Sequence, residues 1–264
     1  MQARNSERRN ARVSHIEAHR AVDRSNAVYN VVNNKGSPQN SARSLASGAE
    51  ADAMFAWFSD GDLRATKQWA YVCGMLDKLV LKMTASDEAF THGPGGKTLG
   101  LRMPLLSDNK ELIDWFANYD HAYDQKRIEN HKTHDFWAYQ AIVALRGDWT
   151  RLLSRCNSVM ADPPGAAGER KYLIDHEFYH ALAKGDVSRM EDTLRQIVLP
   201  KALASRSNDE SGFTDDLIST PAFIYAKIAW RHGYEVVVDS PFVPSEWLPI
   251  SPLDRYENHY AFLK

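Results

Sequence analysis

Five residues in the C-terminal half, His176-Glu177-Phe178-Tyr179-His180, have the types and spacing of a zinc peptidase centre. On an α-helix, residues four apart share a face. Both imidazoles could then ligate one zinc ion while Glu177 activated a bound water as general base. A working site needs a third protein ligand. The extended form of the motif fails, because Ala183 stands where its glycine belongs and no histidine lies between His180 and His232. Glu191 and Glu210 remain downstream as carboxylate ligands, but Glu191 falls across the turn at Gly185. Asp175, immediately before the motif, is atypical of such peptidases. The competing reading is a helix whose Leu173, Phe178, Tyr179 and Leu182 face a core and whose histidines sit at its polar margin.

Other constellations are weaker. His15 and His19 are four apart, and His131, His134 and Asp135 cluster before an apolar helix, where Thr133 or Asp135 suits the N-cap. His92 to Thr98 ends in Gly96-Lys97-Thr98 like a phosphate loop. However, Thr91 replaces the first glycine, Pro94 removes a donor, and no strand precedes it. Arg146-Gly147-Asp148 spells an adhesion tripeptide but falls in a tight corner. Cys73 and Cys156 lie on apolar helix faces with no neighbouring histidine, as reduced buried thiols rather than nucleophiles. Arg4, Arg8, Arg9 and Arg12 decorate a polar N-terminal segment that reads as solvated and frayed.

The elements that must position these groups are helical. Three dipeptides, Gly61-Asp62, Gly147-Asp148 and Gly185-Asp186, each succeed one apolar helix and precede another. Glycine suits a left-handed C-terminal cap and aspartate an N-terminal one, so each is expected to be the corner of a helical hairpin. The phrases Ala144 to Leu153 and Ala181 to Met190 align as a degenerate repeat of tetratricopeptide-like size. The pattern predicts helices near 13–32, 40–58, 62–84, 108–119, 133–146, 148–161, 169–184, 187–204 and 214–231. The rest is expected to be connector. After Gly233, Val236 to Val238 have strand character but no ladder partner. Pro241, Pro244, Pro249 and Pro252 confine the segment beyond these valines to an extended arm across helices, with room for one short strand pair. Tyr256, Tyr260, Phe262 and Leu263 suggest a short docked helix at the end. The expected fold is all-α, stacked helical hairpins of degenerate tetratricopeptide-like type with an extended C-terminal arm. It reads as a single helical domain over 1–264. The alternative division is 1–84 and 107–264, joined by the Gly/Pro-rich connector 85–106.

At 264 residues and 44% hydrophobic, the chain can bury a substantial core. A formal charge of -2 suggests neither a nucleic-acid footprint nor a nucleic-acid mimic. No stretch reaches membrane-span length, and no apolar segment comes after the N-terminal arginines, so no nucleic acid and no membrane is expected as a partner. Two cysteines far apart fit a reducing cytoplasm.

The C-terminal third carries a set of soft motifs. They are Ala181-Leu-x-x-Gly-Asp186, the helix ending Ala229-Trp230-Arg231-His232-Gly233, the valine run flanked by Glu235 and Asp239, Pro241-Phe-Val-Pro244, and Leu248-Pro-Ile-Ser-Pro-Leu253. From about Asp175 to Leu263 the chain resembles the immunity-49 family of bacterial polymorphic-toxin immunity proteins. That resemblance implies an all-helical cytoplasmic protein that binds and neutralises a cognate toxin encoded nearby. It implies no enzyme, no catalytic, cofactor-binding or metal-ligating residue, and no cofactor. A zinc-dependent metallopeptidase built on His176, Glu177 and His180 and a helical-repeat adaptor are the alternatives. Two recognition surfaces suggest themselves. The acidic set Asp209, Glu210, Asp215 and Asp216 could steer towards a basic cleft, and Asn118 to Asp124 interleaves tyrosines with carboxylates.

Overall fold

At each of the three Gly-Asp dipeptides the chain turns as its chemistry requires. Gly61, Gly147 and Gly185 adopt φ of 65°, 70° and 69°, the left-handed region that side chains avoid. Asp62, Asp148 and Asp186 accept the amides of Ala65, Arg151 and Arg189 at 2.9, 3.2 and 3.0 Å. These corners organise a computed structural model that describes residues 2–85, 98–120, 123–166 and 168–263.

The described residues form thirteen α-helices and no strand. The first seven are α1 (Gln2–Arg20), α2 (Ser25–Asn33), α3 (Pro38–Phe58), α4 (Leu63–Ala85), α5 (Arg102–Ser107), α6 (Lys110–Asn118) and α7 (Gln125–Ile128). The other six are α8 (His134–Leu145), α9 (Trp149–Ala161), α10 (Leu173–Lys184), α11 (Val187–Ile197), α12 (Pro200–Ser205) and α13 (Thr220–Arg231). The hairpins are α3/α4, α8/α9 and α10/α11, and α9 packs against α10, so the latter two stack. One connected apolar cluster runs from Ile16 to Leu263. No described helix is long and apolar enough to cross a membrane.

Several elements depart from the pattern-based expectation. The predicted helix 13–32 is two helices, because the Arg24 guanidinium binds the carbonyls of His19 and Val22 at 2.6 and 3.0 Å and Asp23 accepts the Ser25 amide at 2.9 Å. The N-terminal segment read as frayed is the start of α1. The expected connector 85–106 is helical from Thr98 onward, and every residue of α5 is buried. Gly74 on α4 permits the close approach of both α5 and α6, since a Cβ there would lie 3.3 Å from Pro104 Cγ of α5 and 2.7 Å from Leu112 Cδ2 of α6. The helix 187–204 breaks at Leu199-Pro200, since proline cannot donate and holds Leu199 extended. The last long helix starts at Thr220 rather than 214, after a run of turns. The phosphate-loop look-alike, up to Lys97, lies outside the described residues.

The arm needs no strand pair and forms none among the described residues. Val236 and Val238 are buried and Val237 is exposed. The run is held by side chains: Trp230 Nε1 donates to the Val236 carbonyl at 3.0 Å and Glu191 accepts the Val237 amide at 2.9 Å. Trp247 is then fully buried, edge-on to Trp57, Phe58 and Phe223. Beside it lies a buried ionic node. Asp108 Oδ2 accepts Lys67 Nζ at 2.8 Å, and Asp108 Oδ1 pairs with Lys227 Nζ at 2.8 Å. Lys227 also donates to the carbonyls of Trp247, Leu248 and Pro249 at 2.7, 3.2 and 3.0 Å, and Lys67 to that of Ser251 at 2.5 Å. Burial pushes the Lys227 ammonium down to about 8, against the attraction of Asp108. The expected terminal helix is absent. Tyr256 instead donates to the Ser107 carbonyl at 2.5 Å and Leu263 is buried, so the end docks in irregular conformation.

Candidate functional site

The helix carrying His176-Glu177-Phe178-Tyr179-His180 is α10, wedged between α9 and α11. Its buried residues are Asp175, His176, Phe178, Tyr179, Ala181 and Leu182, a stripe at helical spacing that includes the first histidine of the motif. His176 is 1% exposed and meets the Trp137 ring edge-on at 6.1 Å. Arg155 Nε donates to Gln140 Oε1 at 2.7 Å, which turns the Gln140 amide nitrogen towards His176 Nδ1 at 3.4 Å. Burial, reinforced by the nearby Arg155 charge, lowers the imidazole to about 3. It is therefore a neutral core histidine. The polar margin expected for both histidines holds for His180 alone.

Glu177 and His180 face outward. Glu177 pairs with Arg189 of α11 across the Gly185 corner. His180 is partly buried, with its imidazole lowered by burial and then by Lys184. Together with Met160, Pro163 and Leu173 they line an open groove of about 390 Å³ between α9, α10 and α11. The first imidazole thus turns into the core while the second turns to this groove. Glu191, the downstream carboxylate, caps the Val237 amide, and Glu210 accepts the Thr220 amide and hydroxyl at 2.7 and 2.6 Å. Among the described residues no three His, Cys, Asp or Glu side chains converge on a point where a metal could sit. The groove offers recognition chemistry: an apolar floor, a neutralised ion pair and one imidazole.

The remaining histidine clusters have structural tasks. Thr133 Oγ1 accepts the Phe136 amide at 3.1 Å and caps α8, one of the two caps the sequence offered. His131 and His134 tie the loop after α9 through Asp162 at 3.1 Å and Glu169 at 3.2 Å. His15 and His19 pack on Phe213 at 5.7 and 4.7 Å between ring centres. Cys73 and Cys156 are buried and free, and burial pushes the Cys156 thiol up to about 12, far from a reactive thiolate.

Among the described residues, the carboxylates of both recognition surfaces suggested by the sequence are engaged within the fold. Arg206, almost fully buried, grips Asp175 with its two terminal guanidinium nitrogens at 2.6 and 2.9 Å and Asp209 with Nε at 2.9 Å. Asp215 takes Arg12 at 2.9 Å, Asp216 lies 3.6 Å from Arg8, and Glu210 caps α13. In the tyrosine segment, Tyr119 stacks on Trp115, Asp120 accepts Tyr139 and Arg146, and Asp124 caps α7. Residues 121 and 122 lie outside the described set. These carboxylates are braces, and nothing in residue type distinguishes a brace from a free charge. The groove escaped notice for a related reason. Met160 and Pro163 belong to the end of α9 and the loop after it, and only the stacking of three helices brings them to Glu177, His180 and Arg189.

No curated protein and no solved structure matches the chain. A family model described as Immunity protein 49 matches residues 138–247. The matched segment runs from within α8 to Trp247, and so includes the corners at Gly147 and Gly185, the groove, the Glu191-held valine run and the Pro241-Phe-Val-Pro244 step. The C-terminal resemblance is thus to the Immunity protein 49 family, whose sequence pattern the chain carries from residue 138 to residue 247.

Proposed function

We propose that the protein is an immunity protein that binds a cognate bacterial toxin and neutralises it by direct contact. In this reading it is a single, non-catalytic helical domain acting in the cytoplasm, and its partner is encoded nearby. The observation that carries the reading is the family match over residues 138–247. The fate of the metallopeptidase motif supports it. With His176 packed against Trp137 and Gln140, and Glu177 held by Arg189, the motif's residues serve a hairpin and a groove rather than a metal centre. Inhibition then requires burying a surface of standard size, on the order of 1,600 Å² in total, against the toxin.

The test is co-expression with the product of the adjacent reading frame. Growth should be arrested by that product alone and restored by this chain, and the two should co-purify as a stoichiometric complex. A helical-repeat adaptor would bind some other protein and leave growth arrest untouched. A metallopeptidase would hold one zinc ion, lost in His176→Ala, and would cleave peptides.

A further inference from the structure

The valine run of the arm leaves one of its sides in solvent. Val236 and Val238 turn into the core while Glu235, Val237 and Asp239 turn out, Val237 at 66% exposure, which is the alternation of an extended segment. Its course along α11 is fixed at two points. Tyr234 places its hydroxyl where a Cβ on Gly185 would come within 2.9 Å, and Glu191 accepts the Val237 amide at 2.9 Å. These two contacts bracket Val187, which lies four residues before Glu191 on the same face of α11 and is 37% exposed. Trp230 holds the opposite edge through the Val236 carbonyl at 3.0 Å. With both edges held, the segment presents its outward side chains in set positions, and little conformational freedom remains to be lost on contact with a partner.

Charge selects the partner. Residues 232–263 hold five carboxylates, Glu235, Asp239, Glu246, Asp254 and Glu257, against Arg255 as their single Lys or Arg. All five are exposed, and none pairs with a cation among the described residues. In this they differ from Asp209, Asp215 and Asp216, which brace arginines of the fold. The two cations closest to Val187 in sequence are turned elsewhere: Arg189 is held by Glu177, and Lys184 shares the His180 face of α10. In an extended run Glu235 and Asp239 stand about 7 Å to either side of Val237, so an apolar spot lies between two unpaired negative charges. Such a surface complements Lys and Arg side chains, whose stems cover valine while their heads reach the carboxylates. It also falls inside residues 138–247, the segment that carries the family pattern.

We infer that the outward face formed by Glu235, Val237 and Asp239, with Val187 beside it, is the docking surface for the toxin, and that it meets a basic surface of that protein built from Lys and Arg. This inference rests on the immunity reading. The experiment titrates the toxin, made with its active site inactivated, with the full chain and with three variants. These are Val237→Arg, the charge variant Glu235→Gln/Asp239→Asn, and Tyr29→Ser, which changes an exposed residue of α2 as a control. All the substituted side chains are exposed, so circular dichroism melts should match the native chain. Loss of roughly tenfold or more in affinity for Val237→Arg, slower association with weaker salt dependence for the charge variant, and native binding by Tyr29→Ser are expected. Native affinity in Val237→Arg, or a loss confined to Tyr29→Ser, would overturn the assignment while leaving the immunity reading intact. Unchanged association and salt dependence in the charge variant would overturn the basic partner surface. Failure of the native chain itself to bind would overturn both the assignment and the immunity reading. A native dimer, seen by sedimentation, that Val237→Arg dissociates with toxin affinity unchanged would overturn the assignment in favour of a second copy of the chain.

Discussion

His176 is where the meaning of a single residue changes most between sequence and structure. Its place in the motif suits zinc, yet the side chain is buried against Trp137 and Gln140 and its imidazole is lowered from 6.5 to about 3. The sign of the consequence is fixed. Between pH 6.5 and 3 the unfolded chain binds a proton that the folded chain refuses, so the stability His176 contributes is complete above pH 6.5 and is lost as pH falls towards 3. Carboxylates titrate over the same range, and a variant isolates the histidine. Urea unfolding of the native chain and of His176→Gln at pH 7 and pH 5 should show the native chain losing roughly 2 kcal/mol more over that interval. Equal losses would mean that His176 is accessible to protons in the fold. The helical spacing that put Leu173, Phe178 and Tyr179 inside was readable. That His176 joins them was not, because the polar atoms that accommodate it, Gln140 and Arg155, arrive from α8 and α9.

Among elements, the corners and the arm carry separable predictions. At Gly185 an added Cβ would suffer both the positive φ of 69° and a contact of 2.9 Å with the Tyr234 hydroxyl, whereas at Gly147 the nearest atom is 3.6 Å away. Gly185→Ala should therefore cost about 2 kcal/mol or more and Gly147→Ala about 1 kcal/mol, read from thermal or urea unfolding. The arm is tethered by one carboxylate serving two ammonium groups. Asp108→Asn keeps the left-handed backbone that Asn tolerates but leaves Lys67 and Lys227 buried without a counter-charge, which should cost about 3–5 kcal/mol. Lys227→Met leaves the Lys67–Asp108 pair intact and should cost less. Hydrogen exchange should rise over residues 247–256 in Asp108→Asn, and an unchanged arm would show that Trp247 packing alone holds it. The three hairpin corners were legible because glycine and aspartate each have one local task there. The buried helix α5 was not, since Gly100 and Pro104 read as connector, and only the close approach permitted by Gly74 shows why a helix fits. The arm's course was legible from its prolines, but its ionic tether joins residues up to 184 positions apart and leaves no local trace.

For the whole molecule, near-neutral net charge conceals an uneven distribution. The basic excess sits in the first 43 residues, while the family pattern lies in residues 138–247. The acidic residues that looked free in sequence, Asp209, Asp215 and Asp216, brace Arg206, Arg12 and Arg8, so much of the N-terminal basic excess is consumed inside the fold. A scaffold of stacked hairpins tied by buried ion pairs is suited to presenting a fixed face rather than to rearranging around a substrate. The most direct measurement is purification of the tagged chain from cells that also make the product of the adjacent reading frame, with zinc quantified on the same sample. A stoichiometric complex that relieves growth arrest and contains no zinc is expected. Recovery of the chain alone with one tightly bound zinc ion, lost in His176→Ala, would contradict the immunity reading and restore the metalloenzyme.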